Sequence, residues 1–212
     1  MNILTLNGSP KGQYSVTLQT VRYLERLHPE HAFQILHAGQ QIKALEKDFA
    51  PAIQAIKQAD LLLFAYPVYT FIAPSQLHRF IELFKASGIS VDGKFATQFS
   101  TSKHFYDVTA HRYIQDNCQD LGLKYIRGLS ADADDLLTEK GRKEAADFFS
   151  YVCWCMDLDA FEPFPEPAAP PKRVPVDVPE TGAAEKRGDV VVVTDCTADD
   201  LQLSNMIIIA YL

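Results

Sequence analysis

Three short loops hold the residues of this chain best suited to chemistry. The first, residues 7–17, reads NGSPKGQYSVT. Gly8 and Gly12 permit sharp backbone turns, Ser9, Ser15 and Thr17 offer hydroxyls, and Lys11 adds a positive charge. The loop opens into an amphipathic helix, whose unpaired first amides attract an anion. Such a set suits one terminal phosphate. It is not a triphosphate loop, because the Gly-Lys-Ser/Thr ending is missing, nor a dinucleotide fingerprint, because the triple-glycine spacing is absent. Taken alone, the loop reads equally well as an ordinary βα turn whose serines cap a helix.

The second loop, residues 66–74, reads YPVYTFIAP and follows a continuous apolar run. A flat, partly apolar ring needs a wall of this kind, with backbone donors and acceptors for its heteroatoms. Pro67 and Pro74 stiffen the loop, so the wall is formed in advance. The plainer reading makes Tyr69 and Phe71 edge packing for the next helix. A third loop, residues 100–107 (STSKHFYD), offers polar contacts together with Phe105 and Tyr106, while His104 reads as a surface histidine. A phosphate at the first loop and a ring at the second fit flavin mononucleotide (FMN). Asp132, Asp134 and Asp135 precede the last helix and read as caps or solvated carboxylates, so no metal is assigned.

These loops need a scaffold that brings them to one edge, and the alternation of elements predicts one. Strands are expected at residues 3–6, 32–37, 61–65, 95–99 and 123–129. Helices are expected at 15–27, up to 59, from 74, over 107–121, and after Thr138. The run 61–65 is apolar throughout, as in a strand covered on both faces. Leu18, Val21, Leu24 and Leu27 should face inward from the first helix, and Leu77, Phe80, Ile81 and Phe84 from the helix after Pro74. The last helix should bury Ala145, Phe148, Phe149, Val152, Cys153 and Met156. Five strands alternating with helices make an α/β, doubly wound parallel sheet with helices on both faces, and its ligands bind at the carboxyl ends of the strands. The domain is expected to span residues 1–159. Residues 160–187 read as a Pro-rich linker or strap, since seven of the twelve prolines lie between Pro163 and Pro179. Residues 188–212 read as a strand and the start of a helix, either opening a truncated second domain or docking on the first.

Composition narrows the function. A hydrophobic share of 47% over 212 residues supports a substantial core, and the net charge of -7 argues against a nucleic-acid partner. No window approaches the roughly 18 apolar residues of a membrane span. The start, MNILTLNGSP, has no basic leader, so a cytoplasmic protein with free thiols is expected. Cys153 and Cys155, two apart on a helix, point to different faces and do not chelate together.

The chain resembles the NAD(P)H-dependent FMN reductase and NAD(P)H-quinone-oxidoreductase-like branch of the flavodoxin fold, over residues 1–158. NGSPKGQYSVT and YPVYTFIAPSQLHRFIELF carry the resemblance. It implies a sheet of order 2-1-3-4-5, FMN as cofactor and NAD(P)H as electron donor. It also implies a small planar acceptor, such as a quinone, an azo or nitro compound or free flavin, and a homodimer. Phosphate contacts would fall to Ser9, Lys11, Gln13, Ser15, Val16 and Thr17. Ring contacts would fall to Pro67, Val68, Tyr69, Thr70, Phe71 and Ile72, and ring or ribityl contacts to Ser100, Thr101 and Ser102. Thr70-Phe71-Ile72 is bulkier than the glycines that many relatives carry there, and the cysteine cluster of the iron–sulfur branch is absent. The flavin carries the chemistry, passing hydride from nicotinamide to acceptor, so no catalytic side chain is demanded. Two alternatives remain: a flavodoxin-like electron-transfer module serving a protein partner or second domain, and a domain that keeps the fold without flavin.

Overall fold

Strand β3 (Leu61–Pro67) sits at the centre of the sheet, and each of its residues through Tyr66 is buried. Side chains alternate across a strand. Leu62, Phe64 and Tyr66 therefore meet Leu77, Phe80, Ile81 and Phe84 on one face, while Leu61, Leu63 and Ala65 meet Leu18, Val21, Leu24, Phe149 and Val152 on the other. A strand apolar on both sides requires helices on both sides.

The computed structural model describes residues 1–103 and 107–164, which fall in one compact unit. In chain order the elements are β1 (Asn2–Asn7), α1 (Val16–Leu27), β2 (Ala32–Leu36), α2 (Ala38–Leu45), α3 (Ala50–Gln58), β3 and α4 (Ser75–Ala86). There follow β4 (Phe95–Ser102), α5 (Val108–Asp120), β5 (Lys124–Tyr125), β6 (Leu129–Asp132) and α6 (Glu139–Asp157). All pairings are parallel, in the order β2-β1-β3-β4-β5, with β6 also beside β4. This is the expected doubly wound order. No helix among the described residues is long and apolar enough to cross a membrane.

Four local expectations are corrected. The single helix expected up to residue 59 is two, α2 and α3. Pro51 lies in the first turn of α3, where its missing amide is harmless but where it cannot continue a preceding helix. The fifth strand is split. Between the Ala96–Tyr125 and Phe99–Leu129 pairs, β4 advances three residues and its partner four, so one extra residue bulges out. Gly128 fits this bulge because a Cβ there would lie 2.3 Å from Gln98 Cγ and 2.4 Å from the Gln98 carbonyl oxygen. Leu27, expected inward, is 44% exposed, because α1 ends there. On α6, Cys155 is buried one turn after Val152, while Cys153 and Met156 are only half-buried.

Thr138 caps α6 as expected, accepting from the Gly141 amide at 2.9 Å. Beyond α6 the chain stays packed. The Glu162 amide donates to the Tyr125 carbonyl at 2.7 Å, and Gln119 Nε2 donates to the Pro163 carbonyl at 2.9 Å. Residues 160–164 therefore lie along the outer edge of β5. The remaining Pro-rich stretch from 165, the strand-helix reading of 188–212, and His104, Phe105 and Tyr106 lie outside the described residues.

Candidate functional site

Asn7, the last residue of β1, organises the first loop although it is wholly buried. Its Oδ1 accepts from the Ser9 amide at 3.2 Å, and its Nδ2 donates to the Gly12 carbonyl at 2.9 Å and to His37 Nδ1 at 3.1 Å. Burial, helped by the nearby Arg22, lowers the His37 pKa and keeps Nδ1 free to accept. One turn on, Ser9 Oγ accepts from the Lys11 amide at 3.2 Å. Two consecutive side-chain-to-amide turns thus shape the loop. Gly12 completes it with φ +56°, and a Cβ there would lie 2.3 Å from Gln40 Oε1.

Ser15 flanks the N-terminus of α1 and does not cap it. Its hydroxyl is buried and has no partner among the described residues. Three other buried side-chain atoms share that state, Thr5 Oγ1, His78 Nε2 and Thr97 Oγ1, but only Ser15 lines the cavity at this edge. A buried, unpaired hydroxyl beside open helix amides is a donor awaiting an acceptor.

The register brings the other loops alongside. Asn7 pairs with Ala65, Pro67 with Thr101 and Ser102 with Asp132, so the ends of β1, β3, β4 and β6 meet at one edge. The Val68 amide donates to the Thr101 carbonyl at 2.9 Å, and the hydroxyls of Thr17 and Thr101 bond at 2.6 Å beneath the loops. A cavity of about 250 Å³ opens there. Ser9, Lys11, Ser15 and Val16 form one side, and Pro67, Val68, Tyr69, Thr101 and Ser102 the opposite side. The remaining expected residues are placed elsewhere. Thr17 is buried in its bond to Thr101, and Gln13 points to solvent. Ser100 is buried against His111, and Thr70, Phe71 and Ile72 stand outside the cavity wall.

Lys103 and Ala133 also line the cavity, and the sequence reading did not assign them to it. Lys103 pairs with Asp134 at 2.5 Å and Asp132 at 3.3 Å, which raises its pKa and keeps it charged. The acidic cluster before α6 therefore anchors this lysine and the local turn, where Asp135 accepts from the Asp132 amide at 2.7 Å. A larger hollow of about 460 Å³ beside α5 touches His111, Arg127 and Ser130. It is assigned no ligand.

The second loop contains an unusual turn. Tyr69 and Ile72 bond in both directions, amide to carbonyl at 2.9 and 3.2 Å, around Thr70 at φ 46° and Phe71 at φ 75°. Two consecutive left-handed residues are the geometry of a type I′ turn, which favours Asn-Gly. A branched and an aromatic residue there cost about 1–2 kcal/mol each. Thr70→Asn combined with Phe71→Gly is expected to raise the melting temperature by about 4–16 °C in a thermal denaturation scan.

Behind the site lies a buried polar layer. Tyr66 donates to Gln98 Oε1 at 2.5 Å, Gln98 Nε2 donates to Tyr125 Oη and to the His111 carbonyl, and Ser100 Oγ bonds His111 Nε2 at 2.7 Å. Burial lowers the His111 pKa, with Arg127 adding to the effect and Asp107 opposing it. The folded state therefore binds this proton less readily than the unfolded chain, whose histidine titrates near about 6.5. Its contribution to stability is complete above that pH and is lost as pH falls through the folded value. Melting temperatures should drop on acidification from about pH 7.5 to about pH 5, and His111→Gln should flatten that drop.

A doubly wound parallel sheet with a glycine-containing loop and an apolar loop side by side at its carboxyl edge defines the flavodoxin-like class. The chain belongs to that family: the model for a flavodoxin-like fold matches residues 1–126. Among solved structures, it is similar to an NADH:FMN oxidoreductase in its apo form, with 16% identity and a TM-score of 0.59, over 75% of this chain and 89% of that one. It is likewise similar to the NAD(P)H:quinone oxidoreductase from Methanothermobacter marburgensis, with 14% identity and a TM-score of 0.55, over 76% of this chain and 98% of that one. An FMN-dependent NADH-azoreductase from Bacillus anthracis matches with 14% identity and a TM-score of 0.52, over 71% of this chain and 98% of that one. At these identities the likeness concerns the fold. No curated protein sequence matches the chain.

Proposed function

We propose that the chain is an FMN-dependent NAD(P)H oxidoreductase. The observation that carries this reading is the buried, unpartnered Ser15 hydroxyl at the mouth of α1, in a cavity whose far wall is the Pro67–Tyr69 segment. In this reading Ser9, Lys11, Ser15 and the first amides of α1 hold the phosphate. Val16, Pro67, Val68, Tyr69, Thr101 and Ser102 border the ribityl chain and the ring. When bound, FMN supplies acceptance of hydride from a nicotinamide and its transfer to a small planar acceptor such as a quinone, an azo or nitro compound or free flavin.

Size supports the division of labour. The cavity, about 250 Å³, is smaller than the roughly 300–1,000 Å³ of whole-ligand pockets. It suits the phosphate end, leaving the ring to lie towards the shelf of Tyr69, Phe71 and Ile72, which are 44%, 42% and 45% exposed. On such an open shelf nicotinamide and acceptor take turns on one face. A second copy of the chain pairing over the shelf would exclude water there, which is the homodimer part of the proposal.

The test is the visible spectrum of protein mixed with FMN, desalted, then given NADPH or NADH without oxygen. Retained flavin bands that bleach promptly are expected. Retained bands that persist would favour an electron-transfer module instead, and loss of flavin on desalting would overturn the assignment.

A further inference from the structure

Away from the flavin edge, the turn between α1 and β2 gathers three kinds of metal-binding atom. His28 follows α1, its amide bonded to the Leu24 carbonyl at 3.0 Å, and the His31 amide closes the turn onto the His28 carbonyl at 3.1 Å. Pro29 stiffens the two-residue step between them. The turn directs His28 Nδ1 to Glu30 Oε1 at 3.2 Å and His31 Nε2 to the same oxygen at 3.6 Å. All three ligand atoms lie within 4.8 Å of one another. From α6, 122 residues away in sequence, Cys153 brings its Sγ to 3.8 Å from His31 Nε2.

Three of these separations are those of neighbours in a coordination shell. With bonds of about 2.0–2.3 Å, atoms around a tetrahedral zinc ion lie about 3.3–3.6 Å apart. Three neighbouring pairs, at 3.2, 3.6 and 3.8 Å, straddle that value, while Cys153 falls outside the group of atoms mutually within 4.8 Å, so its thiolate must swing in from beside His31 to complete the shell. The histidine rings are held in place by Phe149, whose centroid lies 4.6 Å from that of His28 and 5.8 Å from that of His31. Their side chains are 22% and 18% exposed, and Glu30 at 58% leaves an entry path from solvent. Two imidazoles, a thiolate and a carboxylate suit zinc. They do not suit calcium or magnesium, which take oxygen ligands.

We propose that His28, Glu30, His31 and Cys153 form a structural zinc site. Four protein ligands leave no open position for catalysis. The ion would fasten the α1–β2 turn to α6 and release the Cys153 proton to solvent on binding. It lies at the amino-terminal edge of β2, whereas the flavin cavity lies at the carboxyl edges of β1, β3, β4 and β6. The clamp therefore sets stability and leaves the flavin site alone. The sequence does not reveal such a site, because Cys153 meets the turn only through the packing of α6 on α1.

The test uses the full chain freed of metal with a chelator. Calorimetric titration with zinc should show one ion per chain, and zinc should raise the melting temperature. Cobalt should give the visible bands of a tetrahedral site and a thiolate-to-cobalt charge-transfer band. Cys153→Ser should abolish that band, and His31→Gln should weaken zinc binding by about tenfold or more. Both variants should retain FMN as the parent does, so failure here and failure of the flavin reading are separable. Absence of stoichiometric zinc binding would overturn the proposal. So would a cobalt spectrum unchanged by Cys153→Ser, or zinc affinity unchanged by His31→Gln.

Discussion

Ser15→Ala is expected to make the flavin-free protein more stable while cutting its FMN affinity roughly 10- to 100-fold. The two signs have one cause. In the flavin-free protein the Ser15 hydroxyl is buried without a partner, a state that costs about 1–3 kcal/mol. Removing it leaves only a small void, since the lost atom is one oxygen. With a phosphate present, the same hydroxyl donates to a charged oxygen, a bond worth about 1.5–3 kcal/mol, and each 1.4 kcal/mol is about a factor of ten in affinity. Urea denaturation measures the first effect, and flavin fluorescence during titration the second. Unchanged FMN affinity would sink the assignment of this loop to phosphate. The double replacement of Ser9 and Ser15 by bulky apolar residues is a harsher version. Ser9 also accepts from the Lys11 amide, so that variant disturbs the loop itself.

The second large effect belongs to Asn7, which the ligand never needs to touch. Asn7→Leu keeps the approximate volume but strands the Ser9 amide, the Gly12 carbonyl and His37 Nδ1 without their partner. Orphaned buried groups cost about 1–3 kcal/mol each, part of which the loop recovers by opening to water. A loss of about 3–5 kcal/mol is expected, or a fall of roughly 6–20 °C in melting temperature. Flavin retention should vanish even at temperatures where circular dichroism still reports a folded sheet. A variant that melts early yet holds FMN normally would show that the loop forms its cradle without Asn7.

Why the sequence places the loop residues but not their organiser follows from how each is encoded. Ser9, Lys11, Ser15 and Val16 stand between an apolar run and an amphipathic stretch, so strand-loop-helix order alone brings them to the sheet edge. Pro67, Val68 and Tyr69 are legible for the same reason. Asn7 opens the loop in the sequence, but its type alone does not mark it as the organiser, and only the curl of the following loop turns its side chain inward. Thr17 has the right type and position, but its partner Thr101 lies 84 residues away, so its engagement in the floor depends on sheet register. Lys103 and Ala133 enter the cavity through pairing of β4 with β6, a strand whose separation from β5 rests on one extra residue. Periodicity reports which face a residue takes, and it is blind to a register step of one.

The strap of residues 160–164 bears on where the folded body can be cut. The β5 strand is two residues long and stands at the end of the sheet order, and the Glu162 amide occupies its outward Tyr125 carbonyl. Lys124 reinforces the seam, its ammonium 5.3 Å from the Phe95 ring centroid and 5.4 Å from that of Phe161. A protein shortened after Asp159, where the helical pattern of the sequence runs out, would bare that edge to any passing strand. One ending after Phe164 would keep it sealed. Five residues with no regular secondary structure thus decide between a monodisperse preparation and one that self-associates through its sheet.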